Sequence, residues 1–158
     1  TNIKFLIYGD GTERKKIEDF CKENNIKNVS LKGKVDKKFI PFILSKCNLN
    51  ILNCTSSSVL KYGGSQNKLF DYLASGNPII SGEDSKYSIV KNRNCGVSRH
   101  IENEEDLMNI ILEFQNMDNK SLAKMREKIL QTANDYDYKN LTRKLINIIE
   151  RSEMKNEE

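Results

Sequence analysis

The sequence has a single histidine, His100, and no Cys-X-X-Cys pair among its four cysteines. Zinc sites and thioredoxin-like redox sites depend on such residues, so both classes are disfavoured. Each cysteine lies beside apolar residues instead, and we expect each to act as a small buried hydrophobe. Free thiols indicate a reducing compartment, and we therefore expect a cytoplasmic protein.

A long apolar run and a strong excess of one charge are missing as well. The 26 basic residues face 22 acidic ones, for a formal net charge of +4. That balance disfavours a basic nucleic-acid-binding arm and a polybasic membrane patch. The mean hydropathy of -0.63 excludes a membrane-spanning helix, and the opening TNIKFLIYGDG lacks the parts of a signal peptide. We expect neither a nucleic-acid partner nor direct membrane insertion.

Short apolar runs alternate with amphipathic stretches along the 158 residues. This alternation predicts an α/β fold, a Rossmann-like parallel sheet of about five strands flanked by helices, with a C-terminal helical segment. We expect one domain over residues 1–152 and a polar tail over 153–158. The predicted strands are 3–8, 29–31, 49–52, 78–80 and 96–98, and the predicted helices are 12–24, 37–47, 65–75, 85–92, 103–115, 118–134 and 138–152.

Ligands of open parallel sheets bind beyond the carboxyl ends of the strands, so the loops there are the candidate sites. The turn Gly9–Thr12 is rich in glycine, but Arg14 stands where a dinucleotide fingerprint has its third glycine. The turn Lys32–Val35 follows the second strand, and its glycine would allow a ligand close to the backbone. Taken alone, both segments are better explained as ordinary turns.

The most informative segment runs from Tyr62 to Ile80. Two glycines precede a predicted helix whose N–H groups and dipole suit an anion. Lys68 in the first turn opposes that dipole by roughly 0.3–1 kcal/mol, and a bound diphosphate would reverse the sign. Asp71 could accept hydrogen bonds from the two hydroxyls of a ribose. A plain surface pair of Lys68 and Asp71, with Ser65 as the helix cap, explains the same residues equally well.

The run GSQNKLFDYLASGNPII, residues 64–80, resembles the signature of family 4 glycosyltransferases of the GT-B fold. It is most similar to the branch with G-S-P-N-K-L-F-E-Y-M-A-A-G-K-P-V-I, which includes capsule, O-antigen and exopolysaccharide transferases. Further similarity covers the segments 5–14, 29–35, 47–51 and 137–145. The resemblance implies the C-terminal, nucleotide-sugar donor domain of a retaining glycosyltransferase. Its donor would by default be a UDP-sugar and its acceptor a polysaccharide or a lipid-linked sugar.

The resemblance also implies roles for individual residues. Lys34 and Val35 would hold the nucleobase, and Asp71, shortened from the usual Glu, would hold the ribose. The sugar pocket would include Gly63 and Gly64, with Gly63 standing where the family usually has an acidic residue. No catalytic residue, metal or cofactor is implied, since the nucleotide-sugar is a substrate. The implied diphosphate-binding residues are Ser65, Gln66, Asn67 and Lys68.

A complete enzyme of this family has a second, N-terminal domain that binds the acceptor. By resemblance, the chain also begins after the first strand–helix unit of the donor domain. We therefore expect it to be inactive alone and to bind nucleotide weakly, with the missing acceptor domain as its partner. We also expect an interrupted sheet or an open sheet edge that self-associates or pairs with another chain. The acceptor domain would place the enzyme peripherally at the inner membrane face.

Two alternative functions fit the same fold class. A GT-B nucleotide-sugar 2-epimerase would need acidic and histidine catalytic residues that we cannot place. A non-catalytic, flavodoxin-like nucleotide-binding module would show no preference between UDP and GDP and no role for Asp71. Two further polar features, His100 and the serines 56–58, are best explained as parts of solvated loops.

Overall fold

Strands and helices alternate along the chain in the computed structural model, which describes residues 2–52 and 66–154. The predicted α/β fold is confirmed, with parallel sheets flanked by helices and a helical C-terminal segment. The chain divides into two compact units, residues 1–42 and 43–158, which are considered in turn. The strands are β1 (Phe5–Tyr8), β2 (Val29–Gly33), β3 (Asn50–Leu52), β4 (Ile79–Ser81) and β5 (Gly96–Ser98). The helices are α1 (Arg14–Glu23), α2 (Ile40–Leu44), α3 (Asn67–Ser75), α4 (Ile89–Asn92), α5 (Glu104–Gln115), α6 (Asn119–Asp135) and α7 (Tyr138–Met154).

The first unit is a two-stranded parallel sheet with α1 as its crossover. Phe5 pairs with Val29, and the register shifts at the ends of the strands, so that Tyr8 pairs with Gly33. Threonine often caps helices, so Thr12 at the start of the predicted helix 12–24 is a candidate N-cap, but it does not cap α1. The helix begins after Glu13, which already has helical dihedral angles and gives no side-chain cap.

The second unit contains a three-stranded parallel sheet in the order β3–β4–β5. Ile79, at the start of β4, pairs with Asn50 on one side and Gly96 on the other. Gly96 has a φ of +149°, and a Cβ there would collide with the carbonyl oxygen of Ile79. The close pairing of β4 and β5 therefore requires glycine at this position. The five strands thus form two separate sheets rather than one.

The core of the second unit lies between its sheet and the helices α3 and α6. Its buried side chains come from the strands β3 and β4, from the helices α3, α4 and α6, and from the loop before β5. Burial of these apolar groups is the main stabilising term for the unit. The buried members are Leu52, Leu69, Leu73, Ile79, Val90, Cys95 and Ile129.

A polar joint connects α3 to β4. Gly76 ends α3 in a left-handed conformation, as predicted, and the buried Asn77 follows it. Asn77 Nδ2 donates to the carbonyl oxygen of Leu44 at 2.8 Å, and Arg126 Nη2 donates to Asn77 Oδ1 at 2.8 Å. Ser75 Oγ accepts from Asn50 Nδ2 at 3.0 Å. This part of the glycosyltransferase-like run therefore holds α3, α6 and the sheet together.

Several expectations about helices are corrected. The predicted helix 37–47 is a 3-10 turn at Lys37–Phe39 followed by the short α2, and Phe39 is 49% exposed rather than inward. Ala74 was expected on the buried face of α3 but is exposed. The helix predicted at 85–92 begins only at Ile89, because Ser88 caps it by accepting from the Lys91 N–H.

The helices at the end of the chain match their predicted bounds closely. Asn103 caps α5 and Asp118 caps α6, each by accepting a backbone N–H. On α7 several aliphatic side chains are exposed, among them Leu145 and Ile148. Within the described ranges, none of the helices has the length and the apolar composition that crossing a bilayer requires.

Candidate functional site

The direction of α3 brings its first turn to the carboxyl edge of the β3–β4–β5 sheet. Ser75, at the end of α3, contacts Asn50, which is the first residue of β3. One turn earlier, the Tyr72 hydroxyl donates to the carbonyl oxygen of Ile51 at 3.4 Å. The helix therefore runs antiparallel to the strands, and its start lies beyond their carboxyl ends. Parallel α/β sheets bind their ligands at this edge.

The first turn of α3 lacks the side-chain cap that Asn103 gives α5 and Asp118 gives α6. It also has no acidic residue, whereas the first turn of α5 has three. Asn67 and Lys68 are exposed there. A helix start with N–H donors, a positive dipole and an ammonium group nearby favours an anionic ligand.

Asp71 lies one turn further along α3 and is half-buried. Burial raises the pKa of the neighbouring Tyr72, and the negative charges of Cys47 and Asp71 raise it further. The Tyr72 hydroxyl donates to the sheet. The spacing of Lys68, Asp71 and Ser75 predicts that they share a helix stripe apart from the buried one. The Ser75 hydroxyl nevertheless donates to the Tyr72 carbonyl at 2.7 Å and accepts from Asn50 of the sheet.

Glu83 is a residue at the same edge that the sequence analysis missed. It follows β4 by two residues, and Gly82 N donates to the carbonyl oxygen of Leu52 at the end of β3. Only 6% of Glu83 is exposed, and its Oε1 is buried with no hydrogen-bond partner among the described residues. The sequence carries no signal for its burial, because acidic residues that follow strands are normally exposed.

A groove in the first unit contains two of the predicted site residues. It has a volume of about 410 Å³ and combines an aromatic ring, aliphatic groups, one ammonium group and one carboxylate. Such a lining suits a flat, partly polar ligand. The groove is lined by Tyr8, Gly9, Lys34, Val35, Asp36 and Ile40.

The remaining residues named in the sequence analysis belong neither to the first turn of α3 nor to this groove. Gly63, Gly64 and Ser65 lie outside the described residues, as do the serines 56–58 and Cys54. His100 is exposed, as expected of a solvated loop residue.

The cysteines match their expected role in part. Cys95 is fully buried, and burial raises the pKa of its thiol, although its hydrogen bond to Thr132 and nearby positive charges oppose the shift. Cys21 and Cys47 are only half-buried. Burial raises the pKa of the Cys47 thiol as well. The thiols of these three residues are free.

The fold is that of a parallel α/β domain. The first turn of α3, at the carboxyl edge of the β3–β4–β5 sheet, suits an anionic ligand. Comparison with protein families gives the class. Residues 1–116 of the 158 match the model of the family described as glycosyl transferases group 1. The chain belongs to this family and contains a glycosyltransferase domain. Among curated proteins, none matches the chain.

Proposed function

We propose that the chain is the nucleotide-sugar donor domain of a retaining, family 4 type glycosyltransferase. The observation that carries the proposal is the first turn of α3, which offers backbone donors and the exposed Lys68 at the carboxyl edge of a parallel sheet. The membership in a glycosyltransferase family supports transfer of a sugar as the reaction. The acceptor in this proposal is a polysaccharide or a lipid-linked sugar.

Each part of the donor has a proposed binding group. The N–H groups at the start of α3, together with Lys68, hold the diphosphate. Asp71 accepts hydrogen bonds from the ribose hydroxyls. Lys34 and Val35, which line the groove of the first unit, remain the proposal for the nucleobase. Ser65, Gly63 and Gly64 keep their predicted roles at the diphosphate and the sugar.

The proposed chemistry depends on charge stabilisation. Cleavage of the bond between sugar and diphosphate places extra negative charge on the leaving diphosphate. A fixed helix dipole and an ammonium group stabilise that charge more in the transition state than in the bound donor. No described residue is assigned as a general acid or base, and neither a metal nor a cofactor forms part of the proposal.

The proposed cellular setting follows from the resemblance. An acceptor-binding domain is the partner of the donor domain, and it brings a cytoplasmic enzyme to the inner face of the membrane. The chain alone is then expected to bind nucleotide weakly and to transfer no sugar. Its strand edges are a further route to self-association.

The first experiment is ligand-observed NMR with UDP, GDP and ADP at millimolar concentration. We compare the wild type with D71A and with D19A, which removes a half-buried carboxylate from another helix. We expect one nucleotide to bind, UDP by default, and D71A to weaken it about tenfold, since a carboxylate bonded to two hydroxyls is lost. D19A should leave binding unchanged.

Two outcomes contradict the proposal. Equal binding of all three nucleotides, with no effect of D71A, indicates a nucleotide-binding module without donor selectivity. Binding of none of them, by the chain and by a longer protein that includes the acceptor domain, excludes a donor site. Binding restored only in the longer protein supports the expected weakness of the isolated chain.

A further inference from the structure

Glu83 differs from the neighbouring acidic residue Asp84 in its burial and in its bonding partners. Only 6% of the residue Glu83 is exposed, whereas the neighbouring Asp84 is exposed and its carboxylate pairs with Lys91 at 3.5 Å. Glu83 Oε1 has no hydrogen-bond partner among the described residues. A buried acceptor without a donor is costly, and such groups concentrate where a ligand completes the bonding.

The backbone of Glu83 is held firmly by serine hydroxyls. Its N–H donates to Ser81 Oγ at 3.2 Å, and its carbonyl oxygen accepts from Ser98 Oγ at 2.6 Å. A buried hydrogen bond of 2.6 Å also joins Ser98 Oγ to Ser88 Oγ. Three hydroxyls from β4, β5 and the cap of α4 thus hold the backbone of the residue at the sheet edge, while its side-chain Oε1 has no partner among the described residues.

The position of Glu83 relates it to the proposed donor. It follows β4 at the carboxyl edge of the sheet, the edge that also carries the first turn of α3 with Lys68. Both elements belong to the second unit. A ligand whose diphosphate lies at the start of α3 presents its next group, the sugar, along this edge. Sugar hydroxyls are neutral donors, and a carboxylate is a strong acceptor for them.

We infer that Glu83 binds a hydroxyl group of the donor sugar and thereby selects the sugar. This inference rests on the proposed function. In the chain without ligand the residue is enclosed, so the inference requires its side chain to turn towards the sugar when the donor binds. Binding replaces an unsatisfied buried acceptor by a charge-assisted hydrogen bond, so the nucleotide-sugar gains affinity that the free nucleotide lacks.

The test compares a nucleoside diphosphate with its sugar esters. Dissociation constants are measured for UDP, UDP-glucose, UDP-galactose and UDP-N-acetylglucosamine, or for GDP and GDP-mannose if GDP is the nucleotide that binds. The variants are E83Q, which keeps the shape but removes the charge, and D84N, which does the same at the exposed neighbour. We expect E83Q to weaken at least one nucleotide-sugar about tenfold and the free nucleotide less than twofold. D84N should change neither.

A second readout separates recognition from a structural role. Because the carboxylate lacks a partner without ligand, E83Q should not lower the midpoint of thermal unfolding. A lower midpoint, or an equal loss of affinity for nucleotide and nucleotide-sugars, overturns the inference. So does unchanged affinity for every sugar ester, although nucleotide binding then still supports the donor domain. If no nucleotide binds to the wild-type chain or to the longer protein that includes the acceptor domain, the proposed function fails and this inference fails with it.

Discussion

Arg126 Nη2 donates a 2.8 Å hydrogen bond to Oδ1 of the buried Asn77, although 49 positions separate the two residues. The same amide donates through Nδ2 to the carbonyl oxygen of Leu44 at 2.8 Å. A single side chain thus links α6, the turn after α3 and the end of α2. The amide satisfies a backbone acceptor and an arginine donor that would otherwise lose their partner.

Replacing Asn77 by alanine should destabilise the protein by about 2–3 kcal/mol, because it leaves two polar groups without their partner at a buried site. Chemical denaturation of N77A and wild type measures the difference. N109A is the matched control, since Asn109 is exposed on α5 and alanine favours a helix. A loss for N77A no larger than that for N109A would show that the joint contributes little.

Gly96 should tolerate no side chain. A Cβ there would meet the backbone of Ile79, and the φ of +149° disfavours every other residue. We expect G96A to lose about 3 kcal/mol or more, because β4 and β5 must move apart. G11A is the control, since no atom lies within 4 Å of a Cβ at Gly11. Equal unfolding midpoints for G96A and G11A would contradict the close pairing of the two strands.

Asp118 should make the stability of the protein depend on pH. Hydrogen bonds from the Ser121 hydroxyl and N–H lower the pKa of this helix cap. A lowered pKa in the folded state means that the stabilisation is present above the ordinary pKa of aspartate and is lost as the pH falls through the lower value. The unfolding midpoint of D118A should therefore lie below that of wild type at pH 7, and the difference should shrink towards about pH 3.

The control for this pH dependence is D118N, which keeps a cap oxygen but does not titrate. Its difference from D118A should stay constant over the same range of pH. A deficit of D118A that is equally large at acid pH would mean that the charge of the cap contributes nothing.

Local patterns predicted the elements of the fold well. The bounds of β5 agree with its apolar run, and α3 ends where Gly76 allows a left-handed turn. The patterns could not give strand pairing, which depends on contacts between distant segments, and an interrupted sheet was expected only from the family resemblance. Ala74 is exposed because α3 packs through the side that contains Leu69 and Leu73, with Phe70 and Tyr72 beside them.

The candidate site was predictable where it depends on one helix. The polar first turn of α3 and the position of Asp71 follow from the spacing of residues along that helix. Glu83 was not predictable, since acidic residues after strands are normally exposed and its burial depends on β4, β5 and α4 together. The hydrogen bond between Arg126 and Asn77 likewise depends on α6, a helix far from Asn77 in the sequence.

Lys68 should show opposite effects on stability and on binding. Its ammonium group is exposed in the first turn of α3, where it opposes the helix dipole. K68A should therefore raise the free energy of unfolding slightly, by about 0.5 kcal/mol, in the absence of ligand. The same change should weaken nucleoside diphosphate binding about tenfold, because a charge-assisted contact to the diphosphate is lost.

Thermal unfolding and ligand-observed NMR measure the two effects on one sample. K124A, an exposed lysine in the middle of α6, should change neither quantity by a comparable amount. Unchanged nucleotide affinity in K68A would mean that the diphosphate does not lie at the start of α3.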